Sequence, residues 1–134
     1  MTRINVIEPS RLSDQHLGAE YRELPRVFGL VRDAIRRGER PTDPRNPQQY
    51  LLGAGHVRFF YPRLGYLLER YLRLCEECRS RGRAVNFGNP TDLISGIPAD
   101  WFGYWTPDAS AEQLNIDRIN QRGGLRRVQP QAQV

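Results

Sequence analysis

The stretch SDQHLGAEYRELPRVFGLVRDAIRRG, residues 13–38, decides the fold. Its apolar residues recur at alternating spacings of three and four, which places them on one face of an α-helix. These residues are Leu17, Tyr21, Leu24, Phe28, Val31 and Ile35. Ser13 has the position and chemistry of an N-cap, and Gly38 those of the residue that ends a helix. The stretch therefore predicts a long helix that buries one face.

Pro25 interrupts this pattern and predicts a kink, because proline removes one backbone donor and crowds the preceding turn. Local rules of helix formation are often broken at functional surfaces. The kink therefore makes this helix a candidate for part of a functional site.

Two more helices are predicted. The second runs from Pro62 to Arg81, and the third from Pro107 to Gln121 with Leu114 and either Ile116 or Ile119 facing inward. The inward residues of the second helix are Leu64, Leu67, Leu68, Tyr71, Leu74, Cys75 and Cys78. The sequence contains no internal repeat and no convincing pair of strands.

Long connections separate these helices. Residues 39–50 are rich in proline, 53–56 form a tight Gly-rich loop, and 83–106 read as ordered coil packed by aromatic side chains. Those side chains are Phe87, Trp101, Phe102, Tyr104 and Trp105. We predict an all-α fold, a small single domain of about three main helices with long ordered connecting loops. We place the domain at residues 1–122 and a mobile tail at 123–134.

The composition fits a basic globular protein. Hydrophobic residues make up 39% of 134 residues, and no apolar run approaches the roughly 18 residues of a membrane span. No signal-peptide pattern opens the chain, so we expect it to stay in the cytoplasm. The net charge of +5 predicts an anionic partner. All of its cations are arginines, which suits bidentate phosphate contacts but equally fits a GC-rich genome.

The two cysteines, Cys75 and Cys78, share one face of the second predicted helix. Because the only histidines are His16 and His56, thiolates and imidazoles do not suffice for a four-ligand zinc site. A redox pair would be expected at a helix N-terminus, whereas this pair lies near a helix end. Core thiols are therefore favoured over a small redox or metal protein.

Thr2 has a distinctive position in a chain without lysine. Removal of Met1 would leave the α-amine of Thr2 as the only amine of the protein. The pKa of an α-amine is about 7.7–8.0, so part of it is unprotonated and nucleophilic at neutral pH. If the protein forms a Schiff base, Thr2 forms it.

The first helix also carries a polar face. On an ideal helical wheel Gln15, Arg22 and Arg26 lie opposite the apolar face, and His16 and Glu23 fall together between the two. The helix thus offers a basic ridge beside a semi-buried carboxylate. The alternative is a solvated network in which Glu23 pairs with the flanking arginines, worth under about 1 kcal/mol.

Four segments, MTRIN (1–5), DQHL (14–17), AEYRELPRVFG (19–29) and LGAGHV (52–57), closely resemble the bacteriophage endonuclease V family. These proteins are pyrimidine-dimer DNA glycosylases with an associated strand-nicking lyase activity. The similarity is near-identity over residues 1–29. It is recognisable again from Pro107 to Arg122, and the family's fold is also all-α.

The resemblance implies two catalytic residues, the nucleophile Thr2 and the carboxylate Glu23. It also implies a set of DNA-binding residues around the lesion, which are Arg3, Gln15, His16, Arg22, Arg26 and Arg118. No cofactor and no metal are implied. The expected partner is double-stranded DNA that contains UV damage, bound by a monomer in the cytoplasm of a phage-infected or bacterial host, with no membrane involved.

Two other polar residues are predicted to be structural. We expect the His56 imidazole to satisfy backbone groups in its Gly-rich loop. We expect Glu20, near the edge of the apolar face, to be an ion-pair partner.

The chain departs from the family at its C-terminal end. The phage enzyme ends in an aromatic segment implicated in damage recognition, and here residues 123–127 read Gly-Gly-Leu-Arg-Arg. Stacking on a base is worth about 1–3 kcal/mol, so lesion choice is open. One alternative is the same chemistry on another damaged or modified base. The other is a non-catalytic Arg-rich DNA-binding module, which has no need of a free amine or of Glu23.

Overall fold

The computed structural model describes residues 3–86 and 90–126, so the predictions for Thr2 and Phe87 lie outside the described residues. Within the described residues the chain forms six α-helices. They are α1 (Asp14–Glu23), α2 (Arg26–Arg36), α3 (His56–Phe59), α4 (Leu64–Ser80), α5 (Pro90–Ile94) and α6 (Ala109–Gln121). This part of the chain has isolated β-bridges but no strand, so the predicted all-α fold is confirmed.

The ends of the first predicted helix lie where the sequence places them. The Ser13 side chain caps α1 by accepting a hydrogen bond from the backbone N–H of His16 at 3.2 Å. Gly38 follows α2 with a φ of +86°, a conformation that glycine adopts without strain.

Pro25 divides this helix into α1 and α2, as the predicted kink requires. The N–H of Leu24 still bonds to Glu20, but the N–H groups of Val27 and Phe28 bond to carbonyls only three residues back. The chain therefore tightens for one turn where Pro25 offers no donor.

Helix α4 packs against α1 and buries the predicted face. The rings of Tyr21 and Tyr71 stack with centroids 5.9 Å apart. Cys75 and Cys78 are free, buried thiols, and burial raises the pKa of both. The interpretation as core thiols is confirmed.

Helix α6 buries a different face from the one predicted. Leu114 is 45% exposed, so its predicted inward position is wrong. The buried residues are Ala111, Asn115 and Ile119, spaced by four, and Ile119 is the correct member of the predicted isoleucine pair. A buried polar residue, Asn115, holds the central position, which an apolar pattern cannot indicate.

Aromatic side chains pack the long connections. Trp101 is buried and Phe102 and Trp105 are half-buried, as predicted. Tyr104 is 69% exposed, although its ring lies over Gly65 of α4 so closely that a Cβ there would be 2.7 Å from it. Tyr104 therefore covers the helix from outside and does not fill the core.

Backbone hydrogen bonds attach the described end of the chain to the segment before α1. The N–H of Ser13 donates to the Gly124 carbonyl at 2.7 Å, and the N–H of Arg126 donates to Arg11 at 2.7 Å. Residues 127–134 lie outside the described residues, so the boundary and mobility of the tail stay predictions. Across the described ranges no helix has the length and apolar character to cross a membrane.

Candidate active site

A pocket of about 170 Å³ opens between α1, α6 and the N-terminal arm, by which we mean residues 3–7. Most of its lining side chains are polar or charged. They are Arg3, Asn5, His16, Ala19, Glu20, Glu23, Arg118, Ile119 and Arg122. The pocket is thus lined by residues from both ends of the chain and from the first helix.

Four of the residues predicted for the site meet here, namely Arg3, His16, Glu23 and Arg118. The other three described candidates are exposed and do not line the pocket; they are Gln15, Arg22 and Arg26. Thr2 lies outside the described residues and is joined directly to Arg3.

Three guanidinium groups make the pocket strongly cationic. Burial, together with the charges of Arg118 and Arg122, lowers the pKa of Arg3. Arg3 Nη1 and Arg118 Nε are buried and have no hydrogen-bond partner in the described part of the chain. Because buried donors are normally satisfied, these two atoms indicate a place for an anion such as phosphate. Arg122 was missed by sequence analysis, although it lies one helical turn beyond Arg118.

The two carboxylates of the pocket differ in their partners. Glu20 is 2% exposed. Its carboxylate accepts hydrogen bonds from Nε and Nη2 of Arg70, at 2.9 and 3.0 Å, and from the Asn5 amide at 2.8 Å. Both of its oxygens are therefore occupied in a buried charge-assisted pair. The predicted ion-pair role of Glu20 is confirmed, and its partner Arg70 was not anticipated.

Glu23 is half-buried at the pocket wall. Among the described residues no ion pair joins it to Arg22, Arg26 or any other cation. The solvated network considered as an alternative does not form there. Of the two carboxylates, Glu23 is the one without an ionic partner in the described part of the chain.

His16 is held from two sides. Its Nδ1 lies 3.3 Å from the Ser13 hydroxyl, and its ring packs against Gly124. A Cβ built on Gly124 would lie 2.6–2.7 Å from three ring atoms, so only glycine allows this approach. Gly124 of the segment after α6 thus contacts the site, which its composition alone did not reveal.

An arginine from outside α1, Arg83, lies beside the predicted basic ridge of that helix. Arg83 donates to the Asp14 carbonyl, and its guanidinium lies over the buried Gly18, next to that of Arg22. A Cβ on Gly18 would lie 2.9 Å from Arg83 and 3.2 Å from Arg22. Arg83 therefore widens the cationic face of α1, and no sequence signal linked it to this helix.

His56 satisfies backbone groups, as predicted from the sequence, and one of these groups belongs to the N-terminal arm, which was not anticipated. The Ile4 N–H donates to Nε2 at 2.9 Å, so Nδ1 carries the proton and donates to the Leu51 carbonyl at 2.9 Å. Burial lowers the pKa of His56, which favours the neutral ring that accepts from Ile4 and donates to Leu51. The interpretation as a structural histidine is confirmed.

In the described ranges no group of three or more His, Cys, Asp or Glu side chains is placed to hold a metal ion. The chemistry available in the pocket is that of a carboxylate, an imidazole and several guanidiniums. A small helical protein with a carboxylate set in a cationic pocket has the features of an enzyme that acts on a polyanion.

Comparison with known families identifies this class as the DNA repair glycosylases. The model of the family described as pyrimidine dimer DNA glycosylase matches residues 1–91. This match spans more than half of the chain, and the chain therefore belongs to the pyrimidine dimer DNA glycosylase family. The matched residues include the N-terminal arm and Glu23, whereas Arg118 and Arg122 lie beyond them.

Proposed function

We propose that this protein is a DNA glycosylase with an associated AP lyase activity on cyclobutane pyrimidine dimers, and that its nucleophile is the α-amine of Thr2. The observation that carries the proposal is the Glu23 carboxylate, which has no cationic partner in the described chain and shares a pocket with Arg3, the residue joined to Thr2. The family assignment supports the glycosylase step.

In the proposed reaction the Thr2 nitrogen attacks the sugar C1′ of the damaged nucleotide. The bond from C1′ to the base breaks and the base leaves with the bonding electrons. Opening of the sugar ring then gives an imine between C1′ and the nitrogen. Loss of a C2′ proton expels the 3′-phosphate by β-elimination, which nicks the strand, and water finally releases the enzyme.

Glu23 is proposed to act as the base of both proton transfers. It first takes the proton from the attacking amine, gives that proton to the ring oxygen O4′ as the sugar opens, and as a carboxylate again removes the C2′ proton. A carboxylate on a helix, in a pocket whose cations hold the flanking phosphates, is suited to this task because its position is fixed. Arg3, Arg118 and Arg122 are the proposed phosphate ligands, and His16 contacts DNA beside them.

Borohydride trapping with peptide mapping tests this proposal directly. Reduction of the imine should link the protein covalently to dimer-containing duplex, and the adduct should map to Thr2. A Glu23→Gln variant and an undamaged duplex serve as controls. An adduct at another residue, or no adduct with any lesion, contradicts the mechanism and favours a non-catalytic Arg-rich DNA-binding module.

A second candidate substrate is another damaged or modified base. It is favoured by Gly124, which packs on His16 where the family's aromatic segment would be expected. Trapping on a panel of duplexes with single defined lesions decides between the two. Faster trapping on a modified base than on a dimer would reassign the substrate and leave the chemistry unchanged.

The exposed arginines of the first two helices should contribute to affinity and not to chemistry. We expect Arg22→Ala and Arg26→Ala each to remove about one phosphate contact, lowering the slope of log affinity against log salt by about 0.9. Folding should be unaffected, because both side chains are exposed. Salt titrations on matched duplexes with and without a dimer measure this.

Arg73→Ala is the matched control for these titrations. Arg73 pairs with Glu8 at 3.2 Å and does not line the candidate site, so its slope should equal that of the wild type. Unchanged slopes for Arg22→Ala and Arg26→Ala would show that the basic ridge does not face DNA.

A further inference from the structure

Side chains from separate helices hold the N-terminal arm, which has no sheet partner among the described residues. The Ile4 N–H donates to His56 Nε2, the Val6 N–H donates to Asn115 Oδ1 at 2.7 Å, and Arg70 donates to the Ile7 carbonyl. A segment bound in this way is fixed at several consecutive residues.

Asn115 makes the most specific of these contacts. It is completely buried, and both atoms of its amide are used. Oδ1 accepts from the Val6 N–H, while Nδ2 donates to Asn5 Oδ1 at 2.8 Å. The Val6 N–H needs an acceptor, which fixes the orientation of the amide. One side chain therefore holds two consecutive residues of the arm.

The hydrogen bond between Asn115 and Asn5 is part of a longer network in the core. The Asn5 amide donates in turn to Glu20, whose carboxylate is paired with Arg70. A shift of the arm by one residue moves it by about 3.3 Å and breaks every one of these bonds. The network therefore admits only one register of the arm.

We propose that Asn115 is a positioning residue that sets the place of the N-terminal amine in the pocket. Asn115 is fully buried and cannot touch DNA, so it acts through the arm, which leads from Asn5 to Arg3 and the proposed nucleophile. It lies on α6 three residues before Arg118, so one helix places both the arm and a phosphate ligand. The inference rests on the proposed function of Thr2.

The absence of lysine gives a readout that does not depend on activity. An acylating reagent such as acetic anhydride can modify only one amine, the α-amine. Burial and the charges of Arg118 and Arg122 lower the pKa of Arg3. The pocket also holds His16 and two carboxylates, Glu23 and Glu20, and Glu20 is paired with Arg70. The guanidiniums of Arg3, Arg118 and Arg122 therefore outnumber the carboxylate that has no ionic partner among the described residues, and this excess of positive charge disfavours the charged form of an amine held there. The pH dependence of acylation therefore reports whether the amine is held in the pocket.

The experiment compares the wild type with Asn115→Ala and Asn115→Ser, with Asn120→Ala as a matched control on the exposed side of α6. In the wild type we expect an amine pKa below the ordinary range of about 7.7–8.0. Both Asn115 variants should return it to that range. Borohydride trapping in a single turnover should slow by about 10- to 100-fold, with the dissociation constant for dimer-containing duplex changed less than about threefold.

Serine leaves a smaller hole than alanine but cannot reach both partners, so it keeps the test usable if Asn115→Ala does not fold. If a folded Asn115 variant kept the amine pKa and the trapping rate of the wild type, the inference would be overturned and the proposed function would remain intact. An ordinary amine pKa in the wild type would overturn it without any variant. A further outcome is that the wild type gives no trapping while its amine pKa still differs from that of the Asn115 variants. That result would refute the proposed chemistry and support the positioning of the amine.

Discussion

Replacement of Glu23 by glutamine is expected to reduce single-turnover strand nicking by about 10²–10⁴. Glutamine keeps the shape and hydrogen bonding of the side chain but cannot take a proton. Because Glu23 has no ionic partner in the described chain, its loss leaves no buried charge unpaired and should not destabilise the fold. Binding to dimer-containing duplex should persist.

The measurement is a pair of assays on one duplex, nicking in a single turnover and affinity by titration. Glu76→Gln, which changes an exposed glutamate of α4, is the matched control and should behave as the wild type. If Glu23→Gln nicked the duplex at the wild-type rate, Glu23 would not be the proposed base.

Extension of the chain ahead of Thr2 is expected to abolish nicking and trapping altogether. Each added residue moves the α-amine by up to about 3.6 Å, well beyond the distance over which a nucleophile can react. No lysine is present to replace it. The cations of the pocket remain, so affinity for duplex should be nearly unchanged.

This prediction is checked with a protein that carries Gly-Ser before Thr2 and with one that carries Gly-Ser after Val134. The second should be fully active, since it has the same added residues and an unaltered amine. Nicking by the first protein at a rate close to that of the second would exclude the α-amine as nucleophile.

The elements whose causes are local could be predicted from the sequence. The first helix, its cap at Ser13 and its break at Pro25 all depend on residues within a few positions of one another, and each is confirmed. His56 was also interpreted correctly, because a tight Gly-rich loop leaves backbone groups that a nearby imidazole can satisfy.

The contacts that shape the pocket could not be predicted, because they join distant parts of the chain. Glu20 and Arg70 are 50 residues apart, and Asn5 and Asn115 are 110 apart. Apolar periodicity gives no signal for such pairs. It pointed to Leu114 when the buried residue is its neighbour Asn115, since a hydrophobic pattern cannot recognise a position that is buried in order to make hydrogen bonds.

The buried network of Asn5, Glu20, Arg70 and Asn115 has a consequence for how the protein responds to heat. It joins the arm to α1, α4 and α6. Two of its members, Asn5 and Glu20, also line the pocket, so the same hydrogen bonds shape the pocket and hold the core together. Loosening of the arm would leave buried groups of Glu20, Arg70 and Asn115 without their hydrogen-bond partners, at about 1–3 kcal/mol for each group, and together these costs are a large part of a small domain's total stability. In the wild-type protein we therefore expect the arm to stay in place until the domain unfolds. Activity and global structure should be lost together, in a single transition.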